Sequence, residues 1–278
     1  MSKIREFHFN DKHFEKVREI VTDHSGIVLS DAKKDMVYSR LVRRLRKNNI
    51  DSFDQYCKLL ENSEHEEFTH FINAITTNLT SFFRENHHFE FLANTALPLA
   101  METNKLSKRI RIWSAGCSTG MEPYSIAMVV KEVIPEHMGW DVKILATDLD
   151  TNVLDTAAQG IYDIERVTGI SEQRMNRWVK QGQGVNSDKV KVSKQLKSLI
   201  HFKQLNLLNP FPFKGPIDLI FCRNVVIYFD KDTQKVLFEK FANIHADTGF
   251  LFIGHSETLY NVSERYKLLK NTVYEKVK

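Results

Sequence analysis

The stretch Arg111-Ile112-Trp113-Ser114-Ala115-Gly116-Cys117-Ser118-Thr119-Gly120-Met121-Glu122-Pro123-Tyr124 decides the fold. Ile110 and Ile112 carry a short strand, and Trp113 stands between Ile112 and a turn of small residues bracketed by Gly116 and Gly120. Pro123 and Tyr124 open an apolar helical run. Small side chains let a ligand approach the backbone closely, and a helix start offers N–H groups without an intrahelical partner. The pattern therefore predicts a strand, a ligand-meeting turn and a helix.

Downstream, strand and helix patterns alternate, which predicts a mostly parallel sheet covered by helices. After a helix near residues 123–133, Val142–Thr147 reads as a second strand ending in Asp148-Leu149-Asp150. A helix over 153–159 leads into a turn-rich region, and Lys189–Ser193 alternates at period two like an exposed antiparallel strand. Leu199–Leu205 reads as a strand ending at Asn206-Leu207-Leu208. Asp218–Cys222 is a continuous apolar run, the mark of a strand buried on both faces, and Arg223-Asn224 follows it. A helix over 233–244, a strand over 249–254 and a terminal strand over 272–277 complete the pattern.

Upstream, residues 11–75 read as helices throughout. Asp11 is placed to cap a first helix that closes near Gly26, and Ser30-Asp31 opens a second carrying Val37, Leu41 and Leu45 on one face. Ser52 precedes a third, and Ser63-Glu64-His65-Glu66 is a capping-box pattern ahead of Phe68, Phe71, Ile72 and Ile75. Between Lys33 and Lys47 the basic residues Lys33, Lys34, Arg40, Arg43, Arg44, Arg46 and Lys47 face a single acid, Asp35. Such a cluster is either a solvated face or a docking surface for an acidic partner, nucleic acid or protein. The predicted organisation is a helical domain over 1–76, a connecting segment over 77–108, and an α/β domain over 109–278 with a β excursion at about 160–200.

The 278 residues are 42% hydrophobic and 27% charged with a net charge of +4, an ordinary globular balance. No apolar run approaches the roughly 20 residues of a membrane span, and the N-terminus lacks a signal peptide's apolar core. Cys57, Cys117 and Cys222 are odd in number and widely spaced, which suggests neither a disulfide framework nor a zinc site. A reducing cytoplasm is the expected compartment, and nothing demands more than a monomer.

The ligand follows from what the turn lacks. A dinucleotide site wants G-x-G-x-x-G so that a pyrophosphate can sit on the helix N-terminus. Here the middle glycine is missing, Glu122 follows at once, and no phosphate-loop motif occurs. A carboxylate there repels phosphate and suits a cation. Asp148, closing the second strand, is placed to take ribose hydroxyls. S-adenosylmethionine has a ribose, an adenine, an ammonium and a sulfonium, and no phosphate, so it fits better than a nicotinamide cofactor.

Five stretches together carry a resemblance. They are N-L-T-S-F-F-R (78–84), W-S-A-G-C-S-T-G-M-E-P-Y-S (113–125), A-T-D-L-D (146–150), F-C-R-N-V-V-I-Y-F (221–229) and G-H-S-E (254–257). Spread over nearly the whole chain, they resemble the chemotaxis-receptor methyltransferases, the CheR family. The resemblance implies a class I S-adenosylmethionine-dependent methyltransferase fold with a doubly wound, mostly parallel sheet, an all-helical N-terminal domain and a small antiparallel β-subdomain. It implies transfer of a methyl group to the side-chain carboxylate of receptor glutamates, giving methyl esters and S-adenosylhomocysteine in sensory adaptation. Carried onto matching positions, Asn78, Thr80, Arg84, Gly116, Glu122, Asp148, Asn206, Leu207, Arg223 and Asn224 are expected at the cofactor, with Arg84 and Tyr228 at the reacting centre. Arg40, Arg43, Arg44, Arg46 and Lys47 become the expected docking residues for the acidic helical domain of the receptor. The β-subdomain, with Lys189–Ser193 as an edge, becomes a candidate tether for a receptor C-terminal peptide. No nucleic acid, metal or membrane insertion is implied.

A glutamate carboxylate is ionised at pH 7, so such a transfer needs no general base, and no nucleophile–base motif is visible. A nucleic-acid methyltransferase would explain the basic helix but is expected to carry an N-P-P-Y-like motif where this chain has Cys222-Arg223-Asn224. A non-catalytic S-adenosylmethionine-binding adaptor is the alternative outside enzymes, and Arg84, Asp148, Arg223 and Tyr228 argue against it.

Overall fold

The computed structural model describes residues 5–277. They fall into two compact units: the chain through Thr77 together with Tyr228–Asp230, and Asn78–Ile227 together with the chain from Lys231 onward.

The first unit contains helices α1 (Asp11–Ser25), α2 (Lys34–Lys47), α3 (Phe53–Leu60) and α4 (Glu66–Ile75). Asn10, not Asp11, caps α1: its side chain accepts from His13 N–H, and its own N–H donates to His13 Nδ1. Gly26 closes α1 at φ 71°, as the pattern predicts. Ser52 caps α3 through Gln55 N–H. The predicted capping box at Ser63 does not form. His65 caps α4 instead, its ring accepting from Glu67 N–H, which leaves Glu67 free to point inward. Phe14, Val17, Val37, Leu41, Leu45, Phe53, Tyr56 and Phe71 make the core of this unit.

The second unit is built on β1 (Arg109–Ala115), β2 (Asp141–Asp148), β6 (Ile200–Gln204), β7 (Ile217–Cys222), β8 (His245–Ile253), β9 (Tyr266–Lys270) and β10 (Val273–Lys276). The order is β6-β2-β1-β7-β8-β10-β9. β6, β2, β1, β7 and β8 run parallel to one another, and β10 is antiparallel to both β8 and β9. This is the doubly wound order of class I methyltransferases, with its topological switch at β1, between β2 and β7. Helices α5 (His87–Phe91), α6 (Leu97–Thr103), α7 (Met121–Val133), α8 (Thr151–Gln159) and α11 (Lys231–Ile244) accompany the sheet. Every residue of α7 from Met121 to Val130 is buried, so the helix lies in the interior rather than on an amphipathic surface. Segment 78–108, expected as a connection, belongs to this unit. Phe82, Phe83, Phe89, Phe91, Leu92 and Leu97 join one core with Ile112, Phe221 and Phe252, and that burial outweighs the polar composition around Thr76–Ser81.

The excursion contains β3 (Ile161–Asp163), β4 (Val179–Gln181) and β5 (Lys189–Val192), with α9 (Glu172–Trp178) between β3 and β4, and α10 (Lys194–Lys197) following β5. Its antiparallel order is β3-β5-β4. Lys189–Val192, expected as an edge, is therefore the central strand, paired on both sides. Its alternation reflects one buried face, Val190 and Val192, rather than a free edge. Among the described residues no helix is long and apolar enough to cross a membrane.

Candidate active site

Parallel strands deliver their carboxyl ends to one rim, and most of the expected residues sit there. After β1, Gly116 lies at φ +84° and Gly120 at +87°, with Ser118 at +49° between them. A Cβ on Gly116 would stand 2.4 Å from Val225 Cγ2, so only glycine lets the turn pass under the loop after β7. Gly116 and Cys117 N–H both donate to Thr147 O at 2.8 Å, Ser118 N–H to Asp148 Oδ2 at 2.7 Å, and Gly120 N–H to Cys117 O at 3.0 Å. The turn's amides were expected to face a ligand. These four bond instead to the end of β2 and to the turn itself, which removes most of the cradle a phosphate would need.

Asp148 is held at both oxygens, Oδ1 accepting Asp150 N–H at 3.0 Å and Oδ2 accepting Ser118 N–H. Each oxygen keeps a further lone pair for a hydroxyl donor. Burial raises its carboxyl to about 6, against the pull of those backbone bonds. Asp150 is the cap of α8, its side chain accepting Asn152 N–H, so the capping task does not fall on Asp148. Asn78 closes this corner: its Nδ2 donates to Asp150 Oδ2 at 2.7 Å, and its carbonyl accepts Ser118 Oγ at 3.1 Å. Asn206 follows β6, its side chain accepting Leu208 N–H. Leu207 beside it is buried, and Lys240 Nζ donates to its carbonyl. Thr80 is half-buried.

A second cluster lies beyond β7. Arg223 is buried with its guanidinium between two carboxylates: Nη1 is 2.9 Å from Glu122 Oε2, and Nη2 is 3.2 Å from Glu85 Oε2. Nη2 also donates to the carbonyl of Arg84. Glu122 Oε1 accepts Ser114 Oγ at 2.7 Å. Glu122 was expected as a free carboxylate at the helix start, and its charge is shared with Arg223. Two carboxylates around the Arg223 guanidinium leave one negative charge in excess, and the partly exposed Arg84 guanidinium, its Nε 4.0 Å from Glu85 Oε1, stands against it. Arg84 is partly exposed, and its Nη1 donates to Leu79 O at 2.9 Å. Asn224, at φ +58°, donates its N–H to the buried Glu257 at 2.9 Å and its Nδ2 to Glu85 Oε1 at 3.4 Å. Glu85, His87 and His88 also place potential ligand atoms within 4.8 Å of one another. Arg223 already supplies the positive charge there.

Tyr228 is grouped with the helical unit, where its carbonyl accepts Val28 N–H at 2.8 Å and Lys33 Nζ stands 4.8 Å from its ring centre.

The expected docking residues divide. Arg40 Nη1 donates to the carbonyls of Ala74, Ile75 and Thr76 and so caps the C-terminal end of α4. Arg44 pairs with buried Glu67, Nε to Oε1 at 2.9 Å and Nη2 to Oε2 at 2.5 Å, and Tyr56 donates to the same carboxylate at 2.7 Å. Both therefore hold the helical unit together. Arg43, Arg46 and Lys47 are exposed, Arg46 beside Glu6.

Residues 78–275 match the family described as CheR methyltransferase, SAM binding domain, and residues 12–76 match its all-alpha domain. This chain belongs to the CheR methyltransferase family. It is 42% identical to the chemotaxis protein methyltransferase of Escherichia coli over 268 residues, 95% of this chain and 91% of that one. Identity is also 42% to chemotaxis protein methyltransferase 2 of Pseudomonas aeruginosa, covering 97% and 95% of the two chains. With the enzyme of Borreliella burgdorferi it is 43%, over 87% and 86%. A CheR methyltransferase takes its methyl group from S-adenosylmethionine, and the donor set fits that cofactor. A carboxylate with lone pairs to spare ends β2, four of the turn's five amides are engaged within the protein rather than open to phosphate, and the buried Glu122 stands in the first turn of α7.

Two participants escaped sequence reading. Glu85, next to Arg84, was not singled out, and His255 was noticed only as part of a motif. Glu85 could have been found by asking what balances Arg223 at the end of a buried strand.

Proposed function

We propose that this chain methylates glutamate side chains in the cytoplasmic helical domain of chemoreceptors, leaving methyl esters and S-adenosylhomocysteine. The observation that carries the reading is the engagement of Arg223 by Glu122 and Glu85, which leaves Arg84 as the partly exposed guanidinium in the cluster. When bound, S-adenosylmethionine supplies an electrophilic methyl group on a sulfonium. Asp148 is the residue to hold the ribose, with Asn206 and Leu207 beside the adenine and Asn78, Thr80 and Glu122 completing the pocket. A buried, uncompensated arginine would grip the incoming carboxylate and blunt it as a nucleophile. Arg223, already paired, does not.

Arg84 orients the substrate carboxylate. Alignment alone can supply several kcal/mol, about 7–11 at best, and no proton has to move. Tyr228 is assigned to the reacting centre on its motif position. Docking falls to Arg43, Arg46 and Lys47, which steer an acidic helix. A receptor C-terminal peptide, if used, adds to β3 or β4, the edges of the small sheet. Calorimetry with a receptor C-terminal pentapeptide tests that tether.

The test of the whole reading is radiolabelled methyl transfer to receptor-containing membranes. Base-labile label marks an ester; alkali-stable label, or none, overturns it.

A further inference from the structure

The segment Gly254–Glu257 follows β8 at the rim that holds Arg223 and Asn224, and the reading above gives it no task. Glu257 accounts for itself: its buried carboxylate accepts N–H groups of Gly254 at 2.5 Å, Asn224 at 2.9 Å and Ile227 at 3.3 Å, fixing the loop after β7. His255 is different. Its side chain is 64% exposed, yet Nδ1 lies 2.8 Å from Glu85 Oε1, 170 residues away. An exposed imidazole has little packing to fix it, so this contact sets its orientation.

The Glu85 side chain is only 10% exposed. Burial opposes its ionisation, but the His255 hydrogen bond and the charge of Arg223 prevail and hold the carboxyl at about 2. An ionised carboxylate only accepts, so Nδ1 of His255 carries the proton. Arg223 Nη2 faces Glu85 Oε2 at 3.2 Å without a well-directed hydrogen bond. The remaining neighbours are Asn224 Nδ2 at 3.4 Å, His88 Nδ1 at 3.6 Å and Arg84 Nε at 4.0 Å, so the His255 bond is the shortest one Glu85 has.

The consequence reaches Arg84. Phe83 at φ +53° and Glu85 at φ +56° are left-handed non-glycine residues on either side of it. Such backbone persists only where its surroundings over-determine it. Three ties do so here: Phe83 N–H to Ser125 Oγ at 3.0 Å, Arg223 Nη2 to the Arg84 carbonyl, and the Glu85 carboxylate to His255.

We infer that His255 is a positioning residue for methyl transfer, acting through Glu85 to hold Arg84 on the reactive face. The inference rests on the methyltransferase reading. The imidazole serves as a hydrogen-bond donor, not as a carrier of protons. Without that donor Glu85 turns to Arg223, the left-handed backbone at 83–85 relaxes, and Arg84 loses its aim.

Two substitutions separate this from a structural or acid–base role. His255→Asn puts an amide N–H near the place of Nδ1, whereas His255→Leu keeps bulk and donates nothing. Methyl transfer to receptor-containing membranes is measured beside S-adenosylmethionine affinity by calorimetry and thermal unfolding. His255→Leu is expected to lower kcat about tenfold or more, as misplacement of an orienting group does, with receptor KM, cofactor affinity and Tm held. His255→Asn is expected to restore most of kcat. Adding Glu85→Gln to His255→Leu is expected to cost less than the two separate losses combined, since the residues act through one another. The inference is overturned if His255→Leu turns over like the wild type, if Leu and Asn are equally impaired, if the loss lies in KM or follows a lowered Tm, or if the two losses multiply fully. Absence of ester formation by the wild type would instead sink the proposed function; normal wild-type turnover with an unimpaired His255→Leu variant sinks only this inference.

Discussion

Replacing Arg44 by methionine distinguishes a docking residue from a structural one. The Arg44 side chain is 14% exposed and that of Glu67 2%, and the pair is bidentate with Tyr56 as a third member. Removing one partner of a buried pair costs about 3–5 kcal/mol, because the other charge stays behind uncompensated. For a helical unit of this size, at about 4–8 °C per kcal/mol, the unfolding midpoint is expected to fall by at least about 12 °C. Scanning calorimetry of the full chain reads it. The sign with pH follows from Glu67, which the hydrogen bonds from Arg44 and Tyr56 hold below its ordinary value despite the opposing cost of burial. Its stabilising contribution is present above the unfolded carboxyl value and is lost as pH falls through the lower folded one, so the gap between wild type and variant narrows in acid. Arg44→Met with Glu67→Leu and Tyr56→Phe removes all three polar groups and is expected to regain most of the loss. An unchanged Tm in Arg44→Met, with only receptor KM raised, would refute this reasoning and return Arg44 to the docking face.

Reversing charge at Arg43 and Lys47 is expected to do the opposite, raising receptor KM in methylation assays while Tm and cofactor affinity hold. Asp148→Asn removes charged acceptors at the end of β2; at about 1.5–3 kcal/mol for hydrogen bonds to a charged group, affinity for S-adenosylmethionine is expected to drop about 10–150-fold by calorimetry. In the wild type, Asp148 has its carboxyl raised to about 6 by burial, so the folded protein holds that proton up to about pH 6. Hydroxyl donors favour the ionised form, so binding is expected to release a proton near pH 6 and to weaken below it, an effect absent in Asp148→Asn. Gly116→Ala must hold alanine at φ +84° with Cβ 2.4 Å from Val225, and is expected to lower Tm and cofactor affinity together. The left-handed backbone alone costs about 1–2 kcal/mol.

The strands of the main sheet were largely legible because the central ones are strongly apolar: β7 is buried at all positions but one. β9 was missed. Only Tyr266 of it is buried, so it shows no period-two signal. The central position of Lys189–Val192 was hidden for a related reason, since alternation reports one covered face and says nothing of how many partners a strand has. At the site, Asp148 closes β2 as the strand pattern anticipated, and Asn78 meets that corner through Asp150 and Ser118. Glu122, Arg223 and Arg44 were found as residues but not as pairs. Arg223 meets Glu85 and Glu122 from distant parts of the chain, and only the meeting of strand ends at one rim brings those charges together.

The four engaged amides of the Gly116–Gly120 turn bear on how the enzyme cycles. A loop that satisfies most of its own N–H groups keeps its shape whether or not anything is bound, so occupancy carries little ordering cost there. Donor and spent product then meet the same wall, and exchanging one for the other requires no rebuilding of the turn between rounds. Any slow step in turnover is therefore to be sought in segments that still have contacts to make, and not in this one.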